Sequence, residues 1–134
     1  MKPRRKTVLV VDAEAHVREL AQSYLEESGF RVLVAEDGRE ALNLVSAERK
    51  RFHLLLTGWH MPGLDGPGLI AALRAAGRNQ PMVLWSSHYA LPSGPTAPDK
   101  LLDPFRGQFD GATAVLHLRL VTFDLAGMVR GFIG

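Results

Sequence analysis

No cysteine occurs among the 134 residues, which excludes disulfides, thiolate metal sites and cysteine nucleophiles. No apolar run approaches the length of a membrane-spanning helix. The start, Met1-Lys2-Pro3-Arg4-Arg5-Lys6, is basic, but the apolar stretch behind it is only Val8-Leu9-Val10-Val11. A polar helix pattern follows at once, so this start does not read as a signal peptide. Internal repeats and low-complexity segments are absent. Excess charge is small too: the formal net charge is +2, although the sequence pI is about 9.3. Four of the first six residues are Lys or Arg, so the positive excess sits largely in that tail. No basic helix or aromatic–basic stripe follows it, and nucleic-acid binding is not the expectation.

What is present is ordinary globular composition, with 46% hydrophobic and 22% charged residues. The length suits a single domain. The expected organisation is a basic tail over 1–6 and one domain over 7–134, in a cytoplasmic protein.

Short apolar runs alternate with segments of helical period. The runs are Val8–Val11, Val32–Ala35, Leu54–Leu56, Met82–Trp85 and Ala114–Leu116. Each is rich in aliphatic residues without polar alternation, as expected for strands buried on both faces of a parallel sheet. Parallel strands need helical crossovers. Val17, Leu20, Ala21, Tyr24 and Leu25 fall at helical spacing, and Ser28-Gly29 ends that pattern. Asp37, three residues before Glu40, suits an N-cap leading into Ala41, Leu42 and Val45. Asp65 suits another, with Pro67 in the first turn and Leu69, Ile70 and Leu73 facing inward. Thr122 is a candidate cap for a last helix carrying Leu125, Met128, Val129, Phe132 and Ile133. This alternation predicts an α/β doubly wound sheet with helices on both faces.

One crossover fits poorly. The stretch from Ser86 to Asp110 contains Pro92, Pro95, Pro98 and Pro104, with Gly94 and Gly107 among them. Proline removes a backbone donor and clashes inside a helix. The fourth helix is therefore expected to be shortened, or replaced by a proline-rich loop with a short helix near Asp99–Leu102.

Several of these residues together resemble a known family, the receiver domain of bacterial response regulators. Val8-Leu9-Val10-Val11-Asp12-Ala13-Glu14 is similar to its first strand and acidic corner. Leu54 to Gly66, ending in Met61-Pro62-Gly63-Leu64-Asp65-Gly66, is similar to its third strand and the loop after it. Glu36-Asp37-Gly38 with Ala41-Leu42 matches the start of its second helix, and Gly111 to Leu116 the approach to its fifth strand. The resemblance covers 7–86 closely and 111–134 more loosely. It implies five parallel strands in the flavodoxin-like order 2-1-3-4-5, with the site at their carboxyl ends.

The resemblance also implies a chemistry. In a working receiver, carboxylates at the ends of the first and third strands hold magnesium through oxygen ligands. The third-strand aspartate takes a phosphoryl group, and a Ser or Thr and a Lys bind its oxygens. Here Asp12 is kept, but Ala13 stands where a second carboxylate is expected, and Glu14 opens the first helix. Gly58 occupies the acceptor position, and glycine can neither attack phosphorus nor ligate a metal. Ser86 matches the hydroxyl position. Aligned on Gly111-Ala112, the lysine position holds Leu118, with Arg119 next to it as a residue that could still supply positive charge. The string Leu102-Asp103-Pro104-Phe105 offers another alignment, with Asp for Lys, but it would crowd a helix and a loop into the proline-rich stretch. The expected binding set is therefore Asp12, Ser86 and Arg119, with no catalytic residue. No cofactor is expected; Asp12 is at most a weak residual ligand for magnesium, since a lone strand-end carboxylate commonly bonds nearby backbone N–H groups instead.

Other residues invite chemistry with less support. His60 lies in a loop whose variable positions are usually exposed. Ser86, Ser87 and His88 are adjacent, so on a strand they point to different faces, and no oriented acid accompanies them. His16, His53 and His117 show no metal spacing. Gly127 and Gly131 make a flat stripe on the last helix, suited to a close helix partner or equally to a weakly packed end. The expectation is a non-enzymatic signalling module, a degenerate receiver that binds a protein partner, or a second copy of itself, through residues 92–134. The alternative is a ligand sensor using the space between Asp12, Gly58 and Ser86. Neither a membrane role nor a nucleic-acid partner is expected.

Overall fold

A computed structural model of the chain describes residues 5–46, 51–86, 111–117 and 125–134. The elements run β1 (Thr7–Val11), α1 (Ala15–Glu27), β2 (Arg31–Ala35), α2 (Gly38–Ser46), β3 (Leu54–Gly58), α3 (Gly66–Ala75), β4 (Met82–Ser86), β5 (Ala114–His117) and α4 (Leu125–Ile133). All strand pairs are parallel and the sheet order is β2-β1-β3-β4-β5. This is the doubly wound order expected. Among the described residues no helix is long and apolar enough to cross a membrane.

The apolar runs become strands because both faces of the sheet are covered. Alternate residues of β1 and β3 feed two separate cores. Leu9, Val11 and Leu55 pack with Ala41 and Val45 of α2 and with Leu69, Ile70 and Leu73 of α3. Val8, Val10, Leu54 and Leu56 pack with Val17, Ala21 and Leu25 of α1 and with Leu125, Ala126 and Val129 of α4. A strand buried twice needs apolar residues at every position, and β1 and β3 accordingly have no exposed residue. β2, at one edge of the sheet, is partly open.

Local signals set most helix boundaries. The Asp65 Oδ1 accepts from Gly68 N at 2.8 Å, and the Asp37 Oδ1 from Glu40 N at 2.9 Å. Each satisfies a first-turn N–H that the helix itself cannot pair. After α1, Gly29 takes φ +94°, and Phe30 N returns to Leu25 O at 3.0 Å. Only glycine reaches that conformation without strain. The apolar pattern of α1 proved wider than its buried stripe. Val17, Ala21 and Leu25 are buried, whereas Leu20 and Tyr24 are 39% and 42% exposed. They sit at the edge of the helical face, beyond the reach of the sheet.

The expected proline-rich fourth crossover with its short helix near Asp99–Leu102, the Thr122 cap and the lysine-position residues Leu118 and Arg119 fall outside the described residues.

Candidate functional site

The carboxyl ends of β1, β3 and β4 converge at one end of the sheet. Their last residues and the first residues beyond them include Asp12, Gly58 and Trp85. Asp12 follows β1 directly and is only 8% exposed. Its backbone N–H donates to Ala35 O at 3.2 Å, and its carbonyl accepts from Arg18 Nη1 at 2.6 Å. The chain is thereby pinned on both sides as it turns from β1 into α1.

Each carboxylate oxygen of Asp12 already has an N–H donor. Oδ1 accepts from Glu14 N at 2.9 Å, a local turn that starts α1. Oδ2 accepts from the Trp85 indole Nε1 at 2.9 Å, within the protein interior. Burial raises the Asp12 pKa above its ordinary value, with the two N–H donors and Arg18 opposing and Glu14 adding to the rise.

Gly58 ends β3 and pairs in register with Trp85 of β4. The smallest residue thus stands opposite the largest. A Cβ placed on Gly58 would lie 2.6 Å from Asp12 Oδ2, 3.2 Å from Asp12 Cγ and 3.4 Å from Trp85 Nε1. The room left by the missing side chain is filled by the Asp12–Trp85 pair. Thr57, before it, is fully buried and donates its hydroxyl to Gly58 O at 3.1 Å.

The following loop is held tightly. Trp59 N donates to Trp85 O, and Gly66 N donates to Trp59 O, both at 3.0 Å. Trp59 is buried against the core beneath α2 and α3, and His60 next to it is exposed. Gly63 turns the loop with φ +77°. Asp65 then caps α3. An open cleft of about 340 Å³ runs along this loop, lined by His60, Met61, Pro62 and Asp65. Asp12, Gly58 and Trp85 do not line it.

Of the residues singled out in the sequence, the fold brings Asp12 and Gly58 together and places Ser86 at the end of β4, the side chain of Ser86 lying outside what is described. Arg119 lies outside the described residues. His16 and His53 stand apart from the site, on α1 and before β3. The residue that sequence reasoning missed is Trp85, which read only as the apolar end of a strand. The signal available was the pairing of a glycine and a tryptophan at the ends of strands expected to be neighbours.

This arrangement does not fit a divalent cation. A hard cation needs several oxygen ligands with free lone pairs. Ala13 and Gly58 supply no side-chain oxygen, and the hydrogens of Glu14 N and Trp85 Nε1 point at the one carboxylate present. Among the described residues no group of three or more His, Asp or Glu side chains could hold a metal.

A model of the family described as "Response regulator receiver domain" matches residues 8–98. Among curated proteins, a sensor histidine kinase, AruS, from Pseudomonas aeruginosa is 45% identical over 67 residues, 50% of this chain and 6% of that protein. The response regulator MprA of Mycolicibacterium vanbaalenii is 36% identical over 77 residues, 58% of this chain and 32% of that protein. The chain therefore spans about a third or less of these relatives. Among solved structures, the receiver domain of the Francisella response regulator 1452 superposes with a TM-score of 0.77 and 24% identity, covering 96% of each chain. At that identity the superposition speaks to the fold alone.

Proposed function

Because this chain belongs to the response regulator receiver domain family, a family of two-component signalling, we propose that it is a degenerate receiver that signals by protein contact, without phosphorylation of its own. The observation that carries this reading is the content of the acceptor position. Gly58 offers no nucleophile, and the Asp12–Trp85 hydrogen bond fills the space beside it. A phosphoryl group would find neither an attacking oxygen nor a bound cation there.

In this reading residues 7–134 form the receiver unit behind the basic tail 1–6. No residue is catalytic, and Asp12 and Ser86 are retained as polar groups of the old site, with Arg119 beside the lysine position. The working surface is 92–134, which binds a protein partner or a second copy of the chain. The protein acts in the cytoplasm, takes no cofactor and touches neither membrane nor nucleic acid. Use of the emptied site by a small molecule is the weaker alternative, because Trp85 Nε1 and Asp12 Oδ2 already occupy the space that a side chain at 58 would take.

The test is to add magnesium and beryllofluoride, a phosphoryl mimic, and to follow tryptophan fluorescence. Trp59 and Trp85 are the two tryptophans of the chain, and both report on this end of the sheet. No saturable response is expected. Saturation at sub-millimolar reagent overturns the reading.

A further inference from the structure

We infer that Trp85 closes the site: its indole N–H stands in for a cation at Asp12, and this pairing is what requires glycine at position 58. The inference rests on the degenerate-receiver reading and goes further, because it makes the site a sealed structure and not merely one short of its acceptor.

The geometry follows from the sheet order. β1 and β4 are not neighbours; β3 lies between them. The bond from Trp85 Nε1 to Asp12 Oδ2 therefore has to pass over the end of β3, where Gly58 sits. A Cβ at that point would come within 2.6 Å of Asp12 Oδ2, closer than such atoms pack. Neither side can easily give way. Trp85 is 1% exposed and packed among the residues beneath α1 and α4. The β3 end is tied to β4 through Trp59 N and to α3 through Trp59 O. Asp12 is held by its own N–H, carbonyl and Oδ1.

The electrostatics agree with the packing. A buried carboxylate needs positive partners. The Trp85 N–H supplies a fixed partial charge from within the fold, and Glu14 N–H supplies another. Both occupy lone-pair directions that a cation would need, and their hydrogens repel it. Returning an aspartate to position 58 therefore does not by itself rebuild a metal site, because its first side-chain atom meets the Asp12–Trp85 pair.

The experiment measures magnesium alone by calorimetry on the full chain and on two variants of it. One is Ala13→Asp with Gly58→Asp; the other adds Trp85→Val. The variant lacking the indole is expected to bind magnesium at least about tenfold more tightly, the order of one hydrogen bond to a charged group. Equal affinity in the two variants overturns the inference while leaving the phosphorylation-independent reading intact. A saturable response of the unmodified chain to magnesium with beryllofluoride overturns that reading itself. Should the variants fail to fold, the unmodified chain still decides. Its Trp85 indole N–H signal is expected to be protected from deuterium exchange and unmoved by magnesium. Exchange as fast as in free indole, or a saturable shift with magnesium, refutes the closure.

Discussion

The indole nitrogen of Trp85 lies 2.9 Å from Oδ2 of Asp12, a residue 73 positions earlier in the chain. The bond ties the carboxyl ends of two strands that do not pair with each other, and it crosses the end of the strand between them. Gly58 is the residue it crosses, so the character of the site depends on three strand ends at once.

Replacing Trp85 with Phe keeps most of the apolar volume and removes the donor. Asp12 Oδ2 then remains buried without its partner, which is expected to cost about 1.5–3 kcal/mol at neutral pH. The cost depends on pH. Burial already holds the folded Asp12 carboxyl above its ordinary value of 3.8, and the Trp85 N–H opposes that rise. Without the indole the folded pKa climbs further, so the variant takes up its proton at higher pH than the parent. The loss is full where Asp12 is ionised in both proteins and shrinks as pH falls through the variant's folded pKa. Urea denaturation at neutral and mildly acid pH measures this directly.

Gly66→Ala is expected to be severely destabilising. A Cβ there would collide with the Gly58 carbonyl oxygen and lie 2.7 Å from Leu84 Cδ1. The carbonyl belongs to a strand backbone and cannot move aside as a flexible side chain would, so a loss of about 3 kcal/mol or more is expected, at the upper end of overpacking costs. Thermal unfolding provides the check.

Arg74, near the end of α3, gathers the entries to β4 and β5. Its guanidinium donates to Gly111 O at 2.8 Å, Arg78 O at 3.0 Å and Gln80 O at 2.8 Å. Thr113 Oγ1, 3.4 Å from Arg74 Nη2, also accepts from Met82 N at 2.9 Å. Arg74→Ala is expected to cost about 2 kcal/mol and to speed amide exchange in β5 before the rest of the sheet. Lysine, a single-point donor, restores only part of the loss.

Asp65→Ala removes the cap on Gly68 N. A loss of about 1 kcal/mol is expected, in the usual range for an N-cap. Asp65→Asn recovers most of it, because the amide oxygen accepts the same bond. Comparing the denaturation midpoints of the two variants separates the cap from any effect of charge.

Much of this protein is decided locally and was legible in the residues. Strands buried on both faces have to be continuous aliphatic runs, and Val8–Val11 and Leu54–Leu56 are such runs. Asp37 and Asp65 cap helices through atoms three residues away, and Gly29 ends α1 through its own φ; each needs only its neighbours. That position 58 carries no side chain is likewise a property of one residue. Tertiary structure decided the rest. Leu20 and Tyr24 have the spacing of a buried face, yet the sheet covers only the stripe of Val17, Ala21 and Leu25 and leaves them at the surface. Trp85 has the composition of a core residue, and it is one. Its bond to Asp12 exists only because β3 is inserted between β1 and β4 and ends in a residue with no side chain to block the way. Sequence put glycine at position 58; the fold determined that Trp85 and Asp12 meet in the space a side chain there would take.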